Sequence, residues 1–168
     1  MQVNRKEQAF IQLISAHQGL IHKVCNMYCD LEEDRYDLFQ EIVLQLWRAY
    51  GSFRGDAKIS TWMYRISLNT AISGFRKQKR RPKTEESLLQ ATEIPASMPD
   101  PDWDEKRRFL YKAIGQLSEV EKAIVMLHLE DHSYDEIAEI VGITRNYVGV
   151  KLNRIKDKLR KIMVPHFS

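Results

Sequence analysis

Apolar residues along this chain recur three and four positions apart, the period of a helix with one buried stripe, and nowhere alternate as a half-buried strand would. Over residues 4–29 the stripe is Phe10, Leu13, Ile14, Leu20, Ile21, Val24, Cys25 and Tyr28. This predicts one long helix, which Gly19 weakens only modestly. The acidic patch at 30–34 ends it, and Asp30 followed by Glu33 has the pattern of an N-cap with its capping-box partner. A second helix is expected from about Arg35 to Tyr50. Its apolar residues Leu38, Phe39, Ile42, Val43, Leu46, Trp47 and Tyr50 cover nearly half the circumference, more than a single core contact needs.

The stretch GSFRGDAKIS at 51–60 has two glycines and no period, and Ser60 and Thr61 are placed to cap a third helix. That helix puts Trp62, Ile66, Asn69 and Ser73 near one face and Met63, Ile66, Thr70 and Phe75 near another. It runs into RKQKRRPK, with six basic residues and no acid, closed by Pro82. Residues 82–104 then turn to prolines, acids and small polar residues, the composition of a linker. Beyond it, helical signals return with clear punctuation. A first helix is expected over 105–115, Ser118 with Glu121 reads as a capping box, and Ser133 with Glu136 reads as another. A last helix begins at Thr144, with Val148, Leu152, Ile155, Leu159 and Ile162 as its buried stripe. The pattern therefore predicts an all-α chain: a helical domain over 1–81, an extended acidic linker over 82–104, and a second helical domain over 105–168.

Within the second domain, SYDEIAEIVGITRNYVGVKLNRIKDKL has the spacing of a helix-turn-helix. Gly142 permits the sharp turn, and Ile137, Ala138, Val141, Ile143 and Val148 lock the crossing of the two helices. The second of these helices carries Arg145, Lys151, Arg154, Lys156, Lys158, Arg160 and Lys161 against one acid, Asp157. Its exposed positions Arg145, Asn146, Gly149, Asn153 and Arg154 could face base edges in a major groove, with the later lysines nearer phosphates.

Charge sharpens this picture. The net charge of +3 hides an uneven distribution: residues 1–81 hold 13 Lys/Arg against 8 Asp/Glu, residues 82–104 hold 1 against 6, and residues 105–168 hold 12 against 9. Two basic lobes joined by an acidic strap suit a polyanion-binding protein. No apolar run approaches the ~18 residues of a membrane span, and the N-terminus has no apolar stretch of signal-peptide type, so a cytoplasmic location without membrane insertion is expected. Cys25 and Cys29 lie four apart on the first helix. No later pair at zinc-finger spacing joins them, so buried apolar thiols are expected in place of a metal site.

Four segments in order, DLFQEIVLQLW at 37–47, STWMYRISLNTAISGFRK at 60–77, the acidic linker, and AIGQLSEVEKAIVMLHLEDHSYDEIAEIVGITRNYVGVKLNRIKDKL at 113–159, resemble the extracytoplasmic-function class of bacterial sigma factors. The resemblance implies a promoter-specific initiation factor whose partners are core RNA polymerase and promoter DNA; anti-sigma factors are common partners in that class. It implies that Asp37, Leu38, Gln40, Glu41, Leu44 and Trp47 form the surface that grips the polymerase clamp, with Leu38 and Trp47 as plain core residues the competing reading. It implies that the 51–60 loop and the third helix capture the displaced strand of the −10 element. There Phe53 supplies a ring, Asn69 an amide for a base edge, Trp62 and Tyr64 flat surfaces, and Lys58, Arg65, Arg76 and Lys77 phosphate contacts; the competing reading makes Trp62 and Tyr64 core aromatics. In the second domain Arg145, Asn146, Lys151, Asn153 and Arg154 would read the −35 element. Gly149 and Val150 depart from a common family pattern of a basic and a hydroxyl residue.

Promoter elements about 20 base pairs apart lie roughly 70 Å apart, and 23 linker residues reach about 75 Å when extended, so the tether spans them only when nearly straight. A stand-alone helix-turn-helix regulator is the alternative, needing no polymerase-binding face. A DNA-processing enzyme would need a nucleophile or clustered carboxylates, whereas the acids here fall in the linker, at helix caps or on the clamp-like face. Neither catalytic residues, nor a cofactor, nor a metal are expected.

Overall fold

In the computed structural model the backbone is described for residues 4–79 and 101–167, and the side chains for 4–74 and 105–164. Among the described residues every regular element is a helix. The chain divides into two units, Met1–Gln90 and Ala91–Ser168.

The first unit contains α1 (Arg5–Tyr28), α2 (Glu32–Tyr50) and α3 (Ile59–Lys79). Asn4 caps α1 by accepting a hydrogen bond from the Lys6 amide at 3.2 Å. The helix kinks at His17, whose φ of −120° is non-helical, two residues before the predicted weak point at Gly19. The start of α2 differs from expectation. Asp30 is not its N-cap; that position falls to Leu31, which offers no side-chain cap. Instead the Arg35 guanidinium reaches back, donating to the carbonyls of Cys29 at 3.0 Å and Asp30 at 2.6 Å, and so pins the junction between α1 and α2. Glu32, Glu33 and Asp34 occupy the first turn of α2, where negative charge meets the positive end of the helix dipole. Ser60 and Thr61 also fail as caps, because α3 begins one residue earlier and the Trp62 amide already bonds the Lys58 carbonyl at 3.1 Å.

These three helices close over Phe10, Ile21, Val24, Cys25, Tyr28, Ile42, Leu46, Met63, Tyr64, Leu68 and Ala71, all buried. Burial pushes the Cys25 thiol up to about 11, with Arg35 pulling weakly the other way. Cys29 rises to about 12 through burial first and then the nearby carboxylates of Asp34 and Asp30. Neither sulfur is an effective nucleophile at neutral pH, since the thiolate is the reactive form.

The second unit contains α4 (Pro101–Gly115), α5 (Glu119–Leu129), α6 (Tyr134–Val141) and α7 (Arg145–Phe167). Residues 101–104, assigned by composition to the linker, belong to α4; the rest of that predicted linker, 82–100, lies outside the described residues, as do Arg80 and Arg81 of the basic run. The capping box at Ser118 and Glu121 is complete in both directions. At Ser133 the hydroxyl accepts from the Glu136 amide at 3.1 Å, while the Glu136 carboxylate lies 2.8 Å from His132 Nδ1. Gly142 takes the left-handed conformation at φ 82° and turns the chain from α6 into α7, its amide bonding the Ala138 carbonyl at 2.9 Å. The Thr144 hydroxyl then accepts from the Tyr147 amide at 3.1 Å and opens α7. Ile124, Leu127, Ile137, Ile140, Val148, Leu152 and Ile155 form the centre of this core, with Leu159 and Ile162 at its half-buried edge.

One polar atom in the first core stands out: the Ser67 hydroxyl is fully buried and has no hydrogen-bond partner among the described residues. An unmet buried hydroxyl costs the folded state its desolvation. Ser67→Ala should therefore stabilise the protein by about 1 kcal/mol, read as a raised urea midpoint with an unchanged slope.

Candidate functional site

Packing of α3 against both α1 and α2 sorts its side chains. Thr61, Met63, Tyr64, Ser67, Leu68 and Ala71 point inward and are buried. Three- and four-residue steps on the other side join Lys58, Trp62, Arg65, Asn69 and Ser73, so one outward row runs about 22 Å at 1.5 Å per residue. Trp62 and Arg65 are half-buried on that row, and Lys58 and Asn69 are exposed. Arg76 and Lys77 continue the helix, with side chains outside the described set. Tyr64 is a correction to the sequence reading. It is 5% exposed and faces the core, so it has no open ring surface for a base.

The 51–60 loop is tied to the same row. Ser52 bonds the Ala49 carbonyl through both its amide and its hydroxyl, and the Phe53 amide bonds the Tyr50 carbonyl at 3.3 Å. Gly55, at φ 78°, then takes the left-handed conformation within a bend. Phe53 lands with its ring centroid 4.9 Å from that of Trp62, the planes inclined at 43°. The result is a two-ring aromatic surface at the start of a row carrying an amide and cations.

On α2, Asp37, Glu41 and Leu44 form an exposed row that Arg48 continues, and Leu44 is 41% exposed. Gln40 flanks this row on one side. Trp47, on the same flank, packs edge-on to Phe10 at 5.0 Å, lies beside Tyr50 at 6.4 Å, and carries Lys6 Nζ 5.2 Å from its ring centroid. Its ring is thus largely spent on packing α1 to α2. Leu38 flanks the other side and, with Asp34, Asp37, Glu41, Tyr28, Cys29, Thr70, Ala71 and Gly74, lines a recess of about 270 Å³. Arg48 escaped the sequence reading, although its spacing of four from Leu44 signals it.

In the second unit, α7 buries Val148, Leu152 and Ile155 and turns Asn146, Val150, Asn153 and Arg154 outward. Arg145 sits beside these at the exposed helix start, with its Nε 3.7 Å from Asp135 Oδ1 across the turn. Lys151 lies 5.6 Å from the ring centroid of Tyr147, which is itself 43% exposed and was missed in the sequence. Lys158 is not the free phosphate cation that its place among the later lysines suggested. Its ammonium donates to both Glu121 oxygens, at 2.8 and 3.0 Å, and so ties α7 to the N-terminus of α5. Burial of Glu121 resists its ionisation, but Lys158 and the hydrogen bonds from Ser118 outweigh burial and hold its carboxyl below the usual value of 4.5.

Among the described residues there is no cluster of His, Cys, Asp and Glu fit to hold a metal, and no helix long and apolar enough to cross a membrane. Comparison with known proteins gives both units an identity. The sigma-70 region 2 family matches residues 13–81, and the sigma-70 region 4 family matches residues 108–159. The chain belongs to the sigma-70 family, in its extracytoplasmic-function (ECF) class. It is 31% identical to the ECF RNA polymerase sigma-E factor of Haemophilus influenzae, across 94% of this chain and 90% of that one. It is 28% identical to the sigma-E factor of Escherichia coli, across 95% and 88%, and 26% identical to SigM of Mycobacterium tuberculosis, across 92% and 77%. The fold is shared with CnrH, solved in complex with the cytosolic domain of CnrY, at a TM-score of 0.68 and 20% identity over 95% of this chain and 90% of that one. It is shared also with the sigma factor RpoE of Bartonella quintana, solved with the anti-sigma factor NepR, at 0.69 and 20% over 93% and 97%. This sigma factor is thus a promoter-specific transcription initiation factor that binds core RNA polymerase and promoter DNA. The region 2 match excludes a stand-alone helix-turn-helix regulator, and family membership accords with a protein that is not an enzyme.

Because the Glu121 pKa is depressed in the fold, its contribution to stability is complete above the unfolded value and is lost as pH falls through the lower folded one. Thermal unfolding measured as pH is lowered from 4.5 should show the midpoint falling, and Glu121→Gln should flatten that part of the profile.

Proposed function

We propose that the outward row of α2 docks on core polymerase, the outward row of α3 holds the melted −10 strand, and the outward face of α7 reads the −35 duplex. In this reading residues 1–81 act as the docking and melting domain, 105–168 as the −35 domain, and the segment between them as a tether. The protein acts in the cytoplasm as a dissociable subunit with no chemistry of its own, and an anti-sigma factor would compete for the same surfaces.

The observation that carries this reading is the Phe53–Trp62 pair at the head of the α3 row. Opening a promoter takes a base out of its stack at a cost of a few kcal/mol. A ring surface that restacks the base, an amide that bonds its edge, and cations that hold the flanking phosphates return that energy. Phe53 and Trp62 supply the first, Asn69 the second, and Lys58, Arg65, Arg76 and Lys77 the third. On α2, Leu44 supplies apolar contact between the charges of Asp37 and Glu41, with Gln40 beside them; Leu38 and Trp47 bound the surface and hold the helix in place.

Trp62→Ala and Asn69→Ala should each reduce permanganate reactivity of the −10 thymines about tenfold, in line with the ~1–3 kcal/mol that stacking of one base is worth, while retaining association with core polymerase. Undiminished reactivity in both variants would remove the α3 row from strand capture. Leu44→Asp places a charge on an exposed position and leaves the core untouched. It should lower retention on immobilised core polymerase at least tenfold with the helical circular dichroism unchanged, and full retention would move the docking surface off α2.

A further inference from the structure

At the centre of the outward face of α7 stands an apolar residue. Val150 is 44% exposed, and its neighbours one turn away in either direction are Asn146, Tyr147, Asn153 and Arg154, all of them exposed. Two amides, a phenol and a guanidinium thus surround an isopropyl group. A solvated helix position gives valine no advantage, because its branched side chain loses rotamer freedom in the helix and offers water no polar atom. The residue before it is another weak helix former. Gly149 leaves that flank without a side chain, and a Cβ there would stand 3.6 Å from the Tyr134 ring at the start of α6. Gly149 thus faces Tyr134 within the unit, and Val150 stands on the outward face with only the longer polar side chains one turn away around it.

The chemistry of a major groove narrows what that surface presents. Its base edges are hydrogen-bond donors and acceptors, apart from one apolar group, the C5-methyl of thymine. Amides match adenine edges and guanidinium groups match guanine; an isopropyl group matches only the methyl. The basic flanks of the helix, with Arg145, Lys151 and Lys161, complement the phosphates that bound the groove.

We propose that Val150 is a specificity-determining residue of this sigma factor, packing its methyl groups against the C5-methyl of a thymine in the −35 duplex. The inference rests on the reading that α7 enters the −35 major groove. Where a polar side chain at this position would exchange hydrogen bonds with a base edge, Val150 selects for a methyl group and against cytosine, which lacks one.

The test uses holoenzyme reconstituted from core polymerase and the full chain, on a promoter chosen from a random-sequence library. Each −35 thymine is replaced in turn by deoxyuridine, which removes the methyl and preserves pairing. One replacement should weaken wild-type binding about fourfold, the size expected for one buried methyl group. Val150→Ala should be about fourfold weaker on the thymine promoter and indifferent to that same deoxyuridine. If no replacement weakens the wild type, or if the penalty persists unchanged in Val150→Ala, Val150 is a solvated surface residue and the proposal fails. Arg154→Ala separates this from failure of the underlying reading. A loss that disappears on a scrambled −35 element keeps α7 in the groove, whereas equal loss on intact and scrambled promoters overturns that placement and the Val150 contact with it.

Discussion

The rotation of α3 about its own axis is the constraint on which the first unit depends. Met63, Tyr64, Leu68 and Ala71 are driven against α1 and α2 by burial of their apolar surface, and a helix has only one opposite side. Once they are inside, Trp62, Arg65 and Asn69 have to point out together. The aromatic and polar row is therefore a by-product of packing and needs no separate positioning device. Phe53 is the exception, since it comes from a loop, between the Ser52 turn and the bend at Gly55, and its ring still meets Trp62.

The second unit solves the same problem with a turn and a buried charge. Gly142 sets the direction in which the chain leaves α6, and Val148, Leu152 and Ile155 set which side of α7 is covered. Glu121 adds a polar pin. It closes the capping box of α5 and simultaneously accepts from Lys158, so the start of one helix and the middle of another share one carboxylate. Removing Lys158 would leave the buried Glu121 carboxylate without its counter-charge, whereas Lys158, 56% exposed, is solvated with or without Glu121.

The helical periodicity gave away the class of fold, the Gly142 turn and the Ser118 cap, because each depends on residues close in sequence. Failures came where a partner or a packing direction outside the local motif decided the outcome. Asp30 looked like a cap, but Arg35 satisfies the carbonyls at that junction and lets α2 begin at Glu32. Tyr64 and Trp62 are both aromatic and two residues apart; two residues is 200° of helix rotation, so one is core and the other is surface. Composition alone could not tell which. Pro101 opens α4 although proline had counted as a linker signal, in keeping with its tolerance at the first turn of a helix. For the candidate site, residue types and spacing were legible, and the pairing of Phe53 with Trp62 and of Lys158 with Glu121 was not.

The acids around α7 bear on how the molecule searches for its target. In the sequence that helix has seven cations and a single acid, a composition that would hold any stretch of duplex. The fold brings Glu121 onto Lys158 and Asp135 near Arg145, while Asp157 lies 3.7 Å from Arg160 within the helix itself. Each cation so matched displaces less of the ion atmosphere of a phosphate backbone, and grip on arbitrary sequence weakens accordingly. In a genome that is almost entirely the wrong sequence, any weakening of the electrostatic term lowers the share of a DNA-binding protein held at arbitrary sites.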